Sequence, residues 1–243
     1  MLLDIAGLRK SFGSIVVADD LDLSVAPGEA VGIIGPNGAG KTTLFNLVAG
    51  GLSPNGGAIH FEGRDITRLP PQARCRAGIG RTHQIPQPFE KLTVFENLLV
   101  GAVHGRGSTE RQKTERDVAQ SCGDILATLN LLQHANTPAG ALTLLQRKRL
   151  EMARALATNP RLLLLDEIAG GLIEAECHAL VETIRDIRSS GVAILWIEHV
   201  VHALLAVVDR LVVLNFGRKI AEGDPQAVMA SPEVHQIYIG IEA

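Results

Sequence analysis

Apolar and polar positions change rhythm twice along this chain. Residues 2–8, 15–18 and 21–25 are short strand-like runs ahead of the turn Ala26-Pro27-Gly28-Glu29, and residues 30–34 form an uninterrupted apolar run that reads as a buried strand. Residues 57–63 predict one more strand, bounded by turn residues on both sides. The runs at 2–8, 15–18, 21–25 and 57–63 make this front part strand-rich, and antiparallel pairing is their expected arrangement. The rhythm changes after Gln84. Ile85-Pro86-Gln87-Pro88 reads as a loop, because each proline disfavours helix at the residue before it. Residues 93–103, 110 to about 131, and 146–158 read as helices, with a break at 104–108. Strand and helix then alternate: 161–166, 174–189, 192–197, 199–207 and 211–214. The runs at 162–165 and 192–197 lack polar alternation, as parallel strands covered on both faces require. The predicted fold is α/β, with helices on both faces of a sheet. Residues 1–83 and 159–243 form the α/β core, and 84–158 form an inserted helical subdomain.

Composition narrows the picture. A chain of 243 residues with 46% hydrophobic content can bury a sizeable core. A net charge of −3 supplies no field that draws it to nucleic acid, and 3% aromatics argue against base-stacking platforms. Arg147, Lys148, Arg149 and Arg154 make one predicted helix basic, which reads as a solvated face and not as a nucleic-acid surface. Cys75, Cys122 and Cys177 are odd in number and widely spaced, so they read as free thiols. Residues 1–7 have no basic n-region, so no signal peptide is expected, and no apolar run approaches the ~20 residues needed to span a bilayer. His199 and His202 have no third zinc ligand patterned nearby.

The chemistry starts at Gly35-Pro36-Asn37-Gly38-Ala39-Gly40-Lys41-Thr42, which fits G-x-x-x-x-G-K-[ST]. The glycines allow successive N–H groups to turn toward nucleotide phosphates, Lys41 reaches their oxygens, and the Thr42 hydroxyl suits Mg²⁺. A strand before the loop and a helix after it complete that context, and the chain is expected to bind ATP or GTP. Leu162-Leu163-Leu164-Leu165-Asp166-Glu167 is the natural partner: a buried strand ending in a carboxylate places Asp166 beside the phosphates to hold Mg²⁺. Glu167 is the candidate general base for an attacking water.

These motifs resemble the ATP-binding subunit of an ATP-binding-cassette (ABC) transporter over nearly the whole chain. The resemblance implies a P-loop ATPase core with a mixed sheet, an antiparallel β part and a helical insertion. It implies ATP and Mg²⁺ as cofactors, with Thr43 completing the nucleotide-binding set. Gln84 falls where the family senses Mg²⁺ and the attacking water and connects to the membrane subunit. His199 falls where a histidine contacts the γ-phosphate, and Phe12 where an aromatic ring, usually tyrosine, stacks on adenine. Catalytic roles thus fall to Glu167, His199 and Gln84, and the metal to Thr42, Gln84 and Asp166. A finer resemblance, to importers of branched-chain amino acids, rests on Gly78-Ile79-Gly80-Arg81-Thr82-His83-Gln84, on Val94-Phe95-Glu96-Asn97-Leu98-Leu99, on residues 153–160 and on the tail 231–240. It implies a peripheral subunit at the cytoplasmic face of the inner membrane. Its implied partners are permease subunits, a second ATP-binding subunit and, indirectly, an extracytoplasmic solute-binding protein. Alternatives are the ATPase of a lipopolysaccharide-type exporter, and a regulatory cassette that binds ATP with little turnover.

Two departures matter. Where the family has Leu-Ser-Gly-Gly-Gln, this chain has Leu142-Thr143-Leu144-Leu145-Gln146. In the family that loop meets the γ-phosphate bound to the facing subunit. Thr143 and Gln146 keep a capping-box spacing, but two branched side chains replace glycines that a phosphate can lie against. The family's cross-interface aspartate corresponds to Ile173, and the proline after the catalytic glutamate to Ile168. A homodimer is therefore expected to hydrolyse ATP weakly, and a heterodimer is favoured.

Overall fold

The computed structural model describes residues 1–106 and 114–239. Its first half contains β1 (Leu3–Phe12), β2 (Ile15–Val25), β3 (Ala30–Ile34), α1 (Lys41–Ala49), β4 (Gly56–Phe61), β5 (Arg64–Asp65), α2 (Pro71–Ala77), β6 (Ile79–Arg81) and α3 (Val94–His104). The second half contains α4 (Glu115–Thr128), α5 (Leu144–Ala157), β7 (Leu162–Asp166), α6 (Glu174–Ser189), β8 (Ala193–Ile197), α7 (Val201–Leu205), β9 (Arg210–Asn215), β10 (Arg218–Gly223), α8 (Pro225–Met229) and α9 (Pro232–Ile239).

Two sheets form, as the two rhythms of the sequence predict. One is antiparallel, in the order β2-β1-β4-β5; the other runs β10-β9-β3-β8-β7-β6 and is parallel except for the edge strand β10. In the parallel strands the two-residue period divides each strand between two cores. Leu162 and Leu164 of β7, with Leu195 and Ile197 of β8, face the antiparallel sheet and α1. Leu163, Leu165, Ile194 and Trp196 face the helices on the other side. That double burial is why these runs carry no polar alternation.

The helices α3, α4 and α5 each begin with a capping box: Thr93 with Glu96, Thr114 with Asp117, and Thr143 with Gln146. The Thr143 box is the one its spacing predicts. Four sequence expectations shift. The runs at 15–18 and 21–25 are one strand, β2, because Asp20 adopts a left-handed backbone (φ 54) at an irregularity while pairing continues on both sides of it. The helix expected at 199–207 is only Val201–Leu205, because Glu198 Oε1 accepts from the N–H groups of His199 and Val200. Of the helix expected from residue 110 to about 131, residues 110–113 lie outside the described residues, and α4 starts at Glu115 behind its Thr114 cap and ends at Thr128; residues 107–108 of the break and Gly240 of the tail motif also lie outside them. The basic stripe on α5 is not a solvated face. Lys148 is buried, Arg147 donates to the carbonyls of Leu142 and Gly140, and Arg154 pairs with Glu151. The three cysteines are free, with Cys122 and Cys177 buried. Among the described residues no helix is long and apolar enough to cross a membrane.

Candidate functional site

The loop between β3 and α1 is held from three sides. A Cβ on Gly35 would lie 2.1 Å from the carbonyl oxygen of Leu214, and one on Gly40 would lie 2.2 Å from that of Val17. Gly40 also has φ 100, so only glycine fits there on both counts. Gly38 (φ 81) faces open space. Gly217, in the turn between β9 and β10, donates its N–H to Ala39 O at 3.0 Å and accepts from Asp19 N–H at 2.9 Å, pinning the loop to both sheets. Pro36 and Asn37 lie in the loop, and its last residue, Gly40, is the N-cap of α1, where no side chain caps the helix and the first turn holds no acid. Those free N–H groups and the helix dipole are what a phosphate requires.

Lys41 opens α1 and is only 5% exposed, with Nζ donating to Gly35 O (2.7 Å) and Pro36 O (3.0 Å). Burial pushes its pKa down, opposed by the charges of Glu167 and Asp166. A buried ammonium held by two carbonyls and facing two carboxylates suits a polyanionic ligand. Thr42 is exposed and Thr43 half-buried on the same turn.

Asp166 ends β7 at 4% exposure. Its Oδ2 accepts from Arg81 Nη2 at 3.0 Å, and its N–H donates to Thr82 Oγ1 at 3.2 Å. Glu167 takes a left-handed backbone (φ 46), held by its N–H to Ile197 O at 2.9 Å. A non-glycine residue there stores about 1–3 kcal/mol of strain, and such strain concentrates at functional sites. The turn swings the Glu167 carboxylate between two other predicted residues: Gln84 Nε2 donates to Oε2 (2.5 Å), and His199 Nε2 lies 2.9 Å from Oε1. Gln84, Glu167 and His199 are far apart in sequence and meet at the ends of β6, β7 and β8. The hydroxyl of Thr42, the carboxylate of Asp166 and the amide oxygen of Gln84 are hard oxygen donors of the kind Mg²⁺ takes.

Phe12 lies at the exposed end of β1, with the Lys10 ammonium 5.0 Å from its ring centre. If it stacks on the nucleobase, Phe12→Ala raises the Kd for ATP about fivefold and Phe12→Tyr leaves it near wild type, as fluorescence titration would measure; equal affinities in all three proteins would remove the assignment. The stretch Thr143–Gln146 is separate from the phosphate loop. Among the described residues no hydrogen bond or ion pair joins it to residues 35–43. Leu144 is 48% exposed and lies against Gly171, where an added Cβ would be 3.6 Å from Leu144 Cδ2. Ile173 is 68% exposed, and Ile168 is buried.

Sequence reasoning gave no role to Arg81, Thr82 or Glu198. Glu198 is 1% exposed, and its Oε2 accepts from Ala169 N–H at 2.9 Å, so it anchors the backbone that follows Glu167. A charge closing the apolar run of β8 was the available signal.

A phosphate loop backed by a parallel sheet, with carboxylates at the ends of neighbouring strands, defines a P-loop nucleotide hydrolase. The comparisons narrow the class. The ABC transporter family profile matches residues 18–170. The chain is 37% identical over 98% of both chains to the high-affinity branched-chain amino acid transport ATP-binding protein BraF of Pseudomonas aeruginosa. It is 36% identical, with the same coverage, to LivG of Escherichia coli K12, described in the same terms. It is also 36% identical over 98% of its length, and 97% of the relative's, to the lipopolysaccharide export ATP-binding protein LptB of Acidithiobacillus ferridurans. Among solved structures, an ATP-binding cassette of an ABC transporter in its ADP conformation superposes with a TM-score of 0.88 at 34% identity, covering 98% of each chain. A nucleotide-free cassette superposes with a TM-score of 0.87 at 33% identity and the same coverage. The chain belongs to the ABC transporter family and is an ATP-binding, ATP-hydrolysing subunit of that family.

Proposed function

We propose that this subunit powers a membrane importer of branched-chain amino acids or related amides, working at the cytoplasmic face of the inner membrane. The observation that carries this reading is the end-to-end likeness to the importer ATPases. The likeness to LptB supports a second reading, the ATPase of a lipopolysaccharide-type exporter. Residues 35–43 hold ATP, with Lys41 on its phosphates and Phe12 on its base. Thr42, Asp166 and Gln84 hold Mg²⁺, which when bound offsets phosphate charge. Glu167 draws the proton from the attacking water, Gln84 orients that water, and His199 meets the γ-phosphate.

Residues 84–158 act as a helical subdomain. A cleft of about 580 Å³ lies where it meets the core, lined by His83, Gln87, Gly101, His104 and Arg154. It borders the segment that carries Gln84, and a segment of a permease subunit fits there. Affinity purification of the tagged chain from its own membranes, with identification of retained proteins, tests the assignment. Importer permeases and a second ATP-binding subunit are expected; exporter-type membrane subunits, or none, would overturn it.

The second ATP-binding subunit is a different chain. In a symmetric dimer, Leu144 and Leu145 of each copy would face the other's γ-phosphate and keep backbone N–H groups at a distance. In a heterodimer, one site keeps this chain's Lys41 and Glu167 and receives an ordinary signature loop. Restoring glycine at both positions therefore raises the steady-state ATPase rate of the isolated chain, while costing about 1 kcal/mol per glycine at the start of α5. An unchanged or lower rate in a folded double variant would sink this account.

A further inference from the structure

Arg81 closes β6, and its guanidinium is tied on two sides. Nη2 donates to Asp166 Oδ2 at 3.0 Å, and Nη1 donates to Asn46 Oδ1 at 2.6 Å. Its carbon lies 5.9 Å from the centre of the Phe45 ring, and its buried Nε finds no hydrogen-bond partner among the described residues. The ion pair is shielded, with side-chain exposures of 13% for Arg81 and 5% for Asp166, so water screens it little. Among the described residues no hydrogen bond reaches Asp166 Oδ1.

The placement of the anchors matters. Asn46 is four residues after Thr42 on α1, so the two share a helix face. Asp166 ends the neighbouring strand β7, and Gln84 follows Arg81 by three residues. One guanidinium is thus joined to the carboxylate of one metal candidate, to the helix face of a second, and to the chain segment of the third. A planar fork with fixed donors suits that task better than a flexible ammonium.

We propose that Arg81 is a positioning residue for the metal site: it clamps Oδ2 of Asp166 and leaves Oδ1 turned to the cation that accompanies ATP. The proposal rests on the reading of Asp166 as a metal carboxylate. Groups that hold metal ligands typically change metal affinity or activity by 10–100-fold when lost.

The test measures binding and not turnover. Fluorescent mant-ATP is titrated into the full-length protein twice, once in EDTA and once in saturating Mg²⁺, for wild type, Arg81→Gln, Arg81→Lys, Asn46→Ala and Asp166→Asn. Arg81→Gln is expected to leave the Kd in EDTA within about twofold and to raise the Kd in Mg²⁺ about tenfold. Arg81→Lys should recover part of that loss, and Asn46→Ala should show a smaller loss in the same direction. If Asp166→Asn leaves the Kd in Mg²⁺ unchanged, the metal reading of Asp166 fails. If Asp166→Asn weakens it and a folded Arg81→Gln does not, the positioning role fails. A tighter Kd in Mg²⁺ for Arg81→Gln would show competition with the cation and also overturns the proposal. Should Arg81→Gln not fold, Arg81→Lys and Asn46→Ala decide by the same criteria.

Discussion

Glu167→Gln lowers steady-state ATP hydrolysis by at least about a hundredfold and leaves ATP bound. The magnitude follows from general-base catalysis, which contributes typically 10²–10⁴-fold. The glutamine amide keeps the side chain's length and can still meet Gln84 or His199, so the left-handed turn at residue 167 survives. What it loses is an oxygen basic enough to accept a proton. In the proposed reading nucleotide affinity rests on the P-loop amides and Lys41, whose hold on Gly35 O the substitution leaves in place. The measurement is a phosphate-release assay on the complex with a second ATP-binding subunit, beside mant-ATP binding. Equal rates in Glu167→Gln and wild type would favour the regulatory alternative, a cassette that binds ATP without turning it over.

Arg74→Met is expected to cost about 3 kcal/mol of folding stability. Arg74 lies on α2 and is 1% exposed, yet the described residues show no carboxylate paired with it. Its guanidinium serves carbonyls instead: Nε donates to Leu69 O at 2.9 Å, Nη1 to Leu47 O at 2.5 Å and Val48 O at 2.9 Å, and Nη2 to Thr67 O at 2.9 Å. Leu47 and Val48 belong to the last turn of α1, which holds no basic residue of its own. Arg74 therefore satisfies the buried carbonyl end of the helix that starts at the phosphate loop. Methionine fills much of the volume but strands the carbonyls of Val48, Thr67 and Leu69, each worth about 1 kcal/mol when buried without a donor, while Leu47 O keeps the N–H of Gly50. Urea unfolding would show a lower midpoint with an unchanged slope; a midpoint within error of wild type would show that water replaces the guanidinium.

Both predictions show where sequence reading stops. Glu167 was legible because it follows an apolar run and a carboxylate at the spacing a phosphate loop calls for. Arg74 was not, since its partners are backbone carbonyls, which every residue has and no side-chain pattern reveals. The same holds for Glu198: buried carboxylates serving N–H groups leave only an isolated charge beside an apolar run. Elements without a long apolar period were also missed, namely β5, β6, β10 and the short helices α2, α8 and α9. They are held by neighbours in space, and local propensity carries little of that information.

The sequence by itself determined the nucleotide loop, the α/β alternation, the buried parallel strands and the candidates Gln84, Asp166, Glu167 and His199. These are local signals: glycine where backbone must turn, apolar runs where both faces are covered, a carboxylate where a strand ends. Only the tertiary structure decided that Gln84 and His199 converge on one carboxylate, that Arg81 ties Asp166 to Asn46, and that Leu144 lies against Gly171 away from the chain's own phosphate loop. Those relations depend on which strands become neighbours. Strand order is settled by packing across residues scores of positions apart, a contest among many small burial terms that no single stretch of sequence records.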